Sequence, residues 1–137
     1  MGYTHYWELK EGVTPETFAN WTEGVKAIVE CAIDAGIALG DGNGVDAPVI
    51  DENLVCFNGV GENGHETFGI ALGDTEYDFC KTNQKPYDAV VTASLIYAKQ
   101  IFGDDIKIKS DGDWEDWEGG QLLYETVFDI QPESILS

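Results

Sequence analysis

The strongest structural signal in the sequence is an amphipathic helix near its start. Apolar side chains recur at helical spacing through residues 18–33 and form one continuous stripe. Thr14 is a favourable N-cap. Pro15 suits the first helical position, because the N–H that proline lacks would have no partner within the helix there. The glycine-containing residues 36–40 end the pattern, so a helix is predicted over residues 15–39. Its apolar stripe must be buried, and the chain must therefore build a core around it.

Strand-like and helical patterns alternate along the rest of the chain. The predicted elements are strands over residues 3–9, 53–60, 65–72 and 106–109, a loop over residues 73–85, and helices over residues 86–102 and 113–129. The order β-α-β-β-α-β-α predicts one α+β domain over residues 1–137 with the split βαβ, ferredoxin-like arrangement. We expect an antiparallel four-stranded sheet, two helices on one face and an added C-terminal helix. In this topology the first strand lies between the third and the fourth.

The charge of the chain excludes two classes of partner. Its 26 acidic residues and seven basic residues, none of them arginine, give a net charge of −19. Binding along a nucleic-acid backbone or an anionic membrane requires clustered basic residues, so neither direct nucleic-acid binding nor membrane binding is predicted. Because 43% of the residues are hydrophobic, the charge decorates a folded domain and not a disordered tail.

Cysteine usage and hydropathy bear on location and assembly. Cys31, Cys56 and Cys80 are widely spaced, which suits free thiols in a reducing compartment. No apolar run approaches the ~20 residues of a membrane span, and a cytoplasmic protein is therefore predicted. A half-covered sheet and four tryptophans on a short chain also predict an exposed apolar surface, which a symmetric homodimer would cover.

The segment with the most unusual composition is residues 79–88. Lys81 and Lys85 lie just before a predicted helix N-terminus, where free N–H groups and the helix dipole favour an anion. This predicts a cradle for a phosphate or carboxylate group. The alternative is that these two lysines neutralise the nearby carboxylates of Asp78 and Asp88.

Histidines and acidic segments are the remaining candidates for chemistry. His5 and His65 could each act as a general base or be hydrogen-bonded strand residues. Residues 65–67 match one H-x-T triplet of the two-histidine phosphoesterases, which require two such triplets.

Residues 41–52 partly match a calcium loop, but valine and aspartate break the pattern, and no metal site is predicted. The acidic residues 104–118 could imitate DNA phosphates, hold a hard cation or form a solvated face.

Several of these segments together resemble a known family. The motifs are MGYTHYW at residues 1–7, FNG at 57–59, HETF at 65–68, FCKT at 79–82, KPYD at 85–88 and SDG at 110–112. They look like those of a family of small phage and bacterial proteins of uncharacterised function, and the resemblance spans nearly the whole chain. Other members are less acidic and carry arginine, including at the position of Asn83 or Gln84. The high negative charge therefore belongs to this branch, which weakens a DNA-mimic interpretation.

The sequence favours a binding protein that acts without catalysis or a cofactor. Paired lysines and strand aromatics predict binding or sequestration of a small anionic, nucleotide-like ligand. A phage origin implies counter-defence in the host cytoplasm. The alternatives are an acidic decoy that binds a host protein and a phosphoesterase using His5 or His65. One site is predicted at one edge of the sheet, with walls from Tyr3 and Trp7. Its predicted residues are His5, Trp7, Asn58, His65, Thr67, Lys81, Thr82, Lys85, Tyr87, Asp88 and Asp111.

Overall fold

The computed structural model describes residues 2–136, which form an α+β fold of three α-helices and seven strands in antiparallel sheets. The strands are β1 (Thr4–Leu9), β2 (Leu39–Gly40), β3 (Val49–Ile50), β4 (Leu54–Gly59), β5 (Phe68–Ala71), β6 (Tyr77–Lys81) and β7 (Ile106–Ser110). The helices are α1 (Pro15–Asp34), α2 (Asp88–Phe102) and α3 (Glu118–Phe128), and the short 3-10 turns are Gly61–Asn63, Gly103–Asp105 and Trp114–Trp117. None of these helices is long and apolar enough to cross a membrane.

The first sheet has three strands in the order β6-β1-β7. β1 pairs antiparallel with both neighbours, and His5 lies opposite Cys80 on one side and Ser110 on the other. α2 connects the two edge strands, which therefore run parallel to each other with β1 between them. Because side chains alternate along a strand, His5 and Trp7 share one face and Tyr6 shares the other with Glu8. The face of His5 and Trp7 is buried in the core, and we term it the inner face.

The second sheet has four short strands. In this sheet β4 pairs with β2, β3 and β5, and its pairing with β5 forms the predicted hairpin. The segment before β5 lies along the free edge of β6, where the Glu66 N–H donates to the Lys81 carbonyl at 3.2 Å. The Lys81 N–H in turn donates to the Glu66 side chain at 2.8 Å. This junction brings the two sheets together beside the loop that leads into α2.

The structure corrects the predicted strand neighbours. The predicted loop over residues 73–85 contains β6, and β6 takes the place beside β1 that was expected for residues 65–72. The segment has little hydrophobic character on its inward side, and Tyr77 and Phe79 point outward with 61% and 52% exposure. Pairing with β1 therefore makes this segment a strand, because tertiary contacts override a weak local pattern.

Element ends also differ from the prediction. α1 ends at Asp34, because the chain turns there and residues 39–40 pair with β4. α2 begins at Asp88, after Pro86 and Tyr87 form a turn. α3 begins at Glu118 and is preceded by a 3-10 turn, so the two consecutive glycines lie inside its first turn.

Most of the tryptophan surface lies in the core. Trp7, Trp21 and Trp117 are buried, and the Trp21 indole donates to the Ser94 carbonyl on α2 at 2.9 Å. Trp114 is half-buried. The tryptophans therefore do not create the exposed apolar surface from which a homodimer was expected, and exposed aromatic area on the first sheet comes from Tyr77 and Phe79 instead.

The close approach of α3 to α2 requires glycine at one of two neighbouring positions. A Cβ atom on Gly120 would lie 1.9 Å from the Thr92 hydroxyl and 2.9 Å from a backbone nitrogen of α2. On the exposed Gly119 it would meet the Ala89 methyl at 3.3 Å. We expect Gly120→Ala to lower the free energy of unfolding by about 1–3 kcal/mol through overpacking. Gly119→Ala should leave it unchanged or raise it by up to ~1 kcal/mol through helix propensity.

Urea denaturation of the two variants, followed by tryptophan fluorescence, tests this difference. Both substitutions add the same methyl group to the same helix, so intrinsic propensity cancels in the comparison. Equal stabilities for Gly119→Ala and Gly120→Ala would contradict the packing of α3 on α2 described above.

Candidate functional site

A buried polar cluster lies at the end of the inner face. His5 is fully buried, and its Nδ1 lies 2.8 Å from the Ser110 hydroxyl while its Nε2 lies 2.7 Å from the Asp88 carboxylate. Thr82 donates to the same carboxylate oxygen at 2.5 Å. We call these four residues the His5 cluster. It joins β1, β7, the first residue of α2 and the loop before that helix.

The surroundings of Ser110 determine where the protons of the His5 cluster lie. The Gly112 N–H and the Trp117 indole N–H donate to the Ser110 oxygen at 3.0 and 3.2 Å. Because these groups can only donate, the Ser110 proton is directed to Nδ1 of His5, and the Nε2–H of His5 is directed to Asp88. The chain of hydrogen bonds from Ser110 through His5 to Asp88 resembles a Ser-His-Asp relay, but both acceptor positions of Ser110 are already occupied. The His5 cluster therefore acts as an internal anchor for the sheet.

Several other predicted site residues also have internal roles. Asn58 clasps the chain at His65: its amide donates to the His65 carbonyl at 2.9 Å, and its oxygen accepts from the His65 N–H at 3.1 Å. Thr67 donates to the Gly42 carbonyl at 2.8 Å. These contacts hold the segment before β5, and the His65 side chain itself is exposed.

Two predicted aromatic contacts with a ligand are corrected. Trp7 is 4% exposed and its ring packs edge-on against Phe68 at a centroid distance of 5.1 Å, so the ring belongs to the core and offers a ligand no stacking surface. Tyr87 is fully buried, and its hydroxyl donates to the Glu66 carbonyl at 2.5 Å. Burial is the main cause that raises the pKa of Tyr87, so the hydroxyl stays protonated at that junction.

At the predicted anion cradle at the start of α2, the Asp88 carboxylate binds His5 and Thr82. Asp88 is the first residue of the helix, and its side chain turns towards His5. Among residues 2–136 the one contact within 4 Å between a basic side chain and a carboxylate is that of His5 with Asp88, so neither Lys81 nor Lys85 neutralises a carboxylate there. Strand alternation places Lys81 on the opposite face of the sheet from His5. The predicted residues therefore do not share one face of the sheet.

The opposite face of the first sheet is the more open surface. It carries, in three rows across the strands, Tyr77, Glu8 and Lys107, then Phe79, Tyr6 and Lys109, then Lys81 and Thr4. We call these eight residues the outer face. The rings of Tyr6 and Tyr77 stack at 6.1 Å, and the ring of Phe79 lies 6.4 Å from that of Tyr6. Three of the seven lysines in the chain lie on this face.

A groove of about 170 Å³ runs across the outer face. It is lined by Tyr6, Glu8, Tyr77, Lys107 and Lys109, and by the small exposed part of Trp7, whose ring packs in the core. The Tyr6 hydroxyl donates to the Asp111 carboxylate at 3.1 Å, and the other oxygen of that carboxylate accepts from the Thr4 N–H at 3.0 Å. Burial, followed by this hydrogen bond, raises the pKa of Tyr6. Asp111 thus positions the central ring of the groove and keeps its hydroxyl protonated.

The acidic segments are also tied into local structure. Asp41 accepts from the N–H groups of Asn43 and Val45 at 3.0 and 3.2 Å, and these hydrogen bonds, the one from Val45 foremost, lower the pKa of Asp41. Asp116 accepts from the Asp113 N–H at 2.8 Å in a capping box. Within residues 2–136 no group of three or more His, Cys, Asp or Glu side chains is placed to hold a metal ion.

Sequence reasoning missed seven of the eight residues of the outer face, namely Thr4, Tyr6, Glu8, Tyr77, Phe79, Lys107 and Lys109. The available signal was the alternation of side chains along two strands. In YDFCK it places Tyr77 and Phe79 on one face, and in IKIKS it places Lys107 and Lys109 on one face. The same alternation places Lys81, which was predicted, on this face. Of the predicted site residues, Asp111 also lies beside it through its bond to Tyr6.

No protein-family model matches the chain, and neither a search of curated proteins nor a search of solved structures returned a match. What the protein binds must therefore be inferred from its own side chains. The His5 cluster satisfies its hydrogen bonds internally, whereas the outer face presents aromatic and basic groups to solvent.

Proposed function

We propose that this protein binds a small anionic, nucleotide-like ligand on its outer face and does not turn it over. The observation that carries the proposal is the juxtaposition of three aromatic rings with three lysines on one open sheet face of a protein whose net charge is −19. Aromatic rings stack on bases of any identity, at about 1–3 kcal/mol per base, and lysines pair with phosphate.

The spacing of the strands suits such a ligand. The aromatic residues Tyr77 and Phe79 lie on β6, and Lys107 and Lys109 lie on β7, with β1 between them. Two strand spacings separate them, about 9.5 Å. A base stacked on the β6 rings can therefore extend its phosphate across Tyr6 to the β7 lysines.

The charge distribution favours a small ligand over a polymer. At physiological ionic strength, fields from exposed charges decay over about 8 Å, so a ligand confined to the groove is governed by the nearby lysines. A nucleic-acid strand would continue beyond the outer face onto an acidic surface and be repelled. The proposal thus retains the expectation of no direct nucleic-acid binding.

The resemblance to phage and bacterial proteins supplies a purpose for such binding. Sequestration of a host nucleotide signal in the host cytoplasm would need a binding face and no catalytic group. We also propose that the fold is related to the ferredoxin-like split βαβ arrangement. The order β6-β1-β7, with α2 crossing between the edge strands, supports this assignment.

Calorimetric titration of the full chain with the four common nucleoside 5′-monophosphates tests the proposal. We expect binding, and we expect Tyr77→Ala combined with Phe79→Ala to weaken it by about tenfold or more, because base stacking is lost. Leu122→Ala is the control, since Leu122 is a similarly exposed apolar residue on α3. Absence of binding to the unsubstituted protein, or equal binding by the double variant, would contradict the proposal.

A second copy of the chain is the competing occupant of the same face. Light scattering with and without nucleotide separates the two: a homodimer that forms through Tyr77 and Phe79 would dissociate in the double variant and would compete with the ligand. A monomer at all concentrations that binds nucleotide supports the ligand alone.

A further inference from the structure

We infer that the groove on the outer face selects a base with two adjacent N–H donors, which among the common bases is guanine, and that Glu8 makes the selection. This inference rests on the function proposed above and names the ligand class more narrowly. Glu8 is the acidic residue in a groove otherwise lined by aromatic rings and lysines. It lies on the central strand, between Tyr77 and Lys107.

The carboxylate of Glu8 is free to meet a ligand. Among residues 2–136 no cation lies within 4 Å of it, although Lys107 is its neighbour across the strands. Glu8 is half-buried, so a ligand in the groove would remove water from its carboxylate. An ionised carboxylate only accepts hydrogen bonds, and a desolvated carboxylate without donors is strongly unfavourable. A ligand that fits the groove must therefore present donors at this position.

The bases differ in what they can offer. Guanine presents the N1–H and the 2-amino group side by side, a pair of donors that matches the two oxygens of a carboxylate. Adenine and cytosine present one amino group next to a ring nitrogen that only accepts, and uracil and thymine present one N–H between two carbonyls. Each of these other bases would place an acceptor against Glu8, which costs binding energy.

The position of Glu8 also suits the remainder of a nucleotide. Tyr6 follows Glu8 in the row of outward residues on β1, and Lys81 and Lys109 lie on the strands to either side of it, farther from Glu8. A guanine whose donor edge meets Glu8 can stack on Tyr6 and Phe79 and direct its phosphate towards those lysines. The carboxylate and the phosphate, which repel each other, are then at opposite ends of the ligand.

Titrations with guanosine, inosine and adenosine 5′-monophosphates test the inference on the full chain. Inosine 5′-monophosphate lacks only the 2-amino group, so it isolates one charge-assisted hydrogen bond. We expect the guanosine nucleotide to bind about tenfold more tightly than either of the others. In Glu8→Ala this preference should disappear, whereas Glu23→Ala, which removes an exposed carboxylate from α1, should retain it.

Each result decides a different point. Equal binding of the three nucleotides by the unsubstituted protein, or a preference for guanine that survives Glu8→Ala, would overturn the inference and leave the proposed function standing. A failure of all three nucleotides to bind would remove the proposed function and this inference with it. A guanine preference that is lost only in Glu8→Ala supports both.

Discussion

Replacing Ser110 with alanine is expected to lower the free energy of unfolding by about 2–4 kcal/mol, because donors in a partly buried site lose their acceptor. The Gly112 N–H and the Trp117 indole N–H both donate to the Ser110 oxygen, and His5 loses the proton donor at its Nδ1. The rest of the His5 cluster then contains a buried imidazole with one satisfied nitrogen. Urea denaturation followed by tryptophan fluorescence measures the loss.

Ser94→Ala provides the matched control. Ser94 is a buried serine on α2 whose hydroxyl has no hydrogen-bond partner among residues 2–136. Its removal deletes an unsatisfied group and introduces a better helix former, so Ser94→Ala should be neutral or stabilising. If Ser110→Ala costs no more than Ser94→Ala, the His5 cluster does not anchor the sheet as described.

The second large effect concerns the ligand. The double substitution Lys81→Ala with Lys109→Ala is expected to weaken binding of guanosine 5′-monophosphate by about tenfold to a hundredfold, because charge-assisted hydrogen bonds to phosphate are lost. Binding of guanosine, which lacks the phosphate, should change little. The affinities for guanosine and for its 5′-monophosphate, each measured with and without the two lysines, form a thermodynamic cycle that isolates the contact between lysine and phosphate.

Lys26→Glu is the control for charge in that cycle. Lys26 is exposed on α1, and the substitution changes the net charge by the same amount as the double variant. If binding depends on overall charge, both variants lose affinity for the nucleotide equally. If the double variant loses affinity for guanosine as strongly as for its monophosphate, the lysines do not contact the phosphate.

The elements that the sequence predicted well are those with strong local signals. The capped amphipathic pattern of α1, the hairpin of β4 and β5, and the pairing of the first and last predicted strands are all present. β6 was missed, because only Cys80 in its five residues is fully buried and its aromatic residues face outward. A strand stabilised by pairing with β1 carries no hydrophobic pattern that distinguishes it from a polar loop.

The candidate site was only partly accessible to sequence reasoning. His5, Thr82 and Asp88 do come together, but as an internally bonded cluster on the inner face. Strand alternation separates His5 from Lys81, and nothing in the two strands alone says which face the helices will cover. That choice decides that Trp7 is core and that Tyr77 and Phe79 are exposed, so the outer face could be recognised only from the packed structure.

Backbone amide chemical shifts during a titration with guanosine 5′-monophosphate test the binding face most directly. The proposed function predicts that the perturbed amides of the 15N-labelled full chain cluster on β1, β6 and β7, around Tyr6, Phe79 and Lys109. Perturbations confined to residues 82–88 and the His5 cluster, or none at all at millimolar nucleotide, would contradict it.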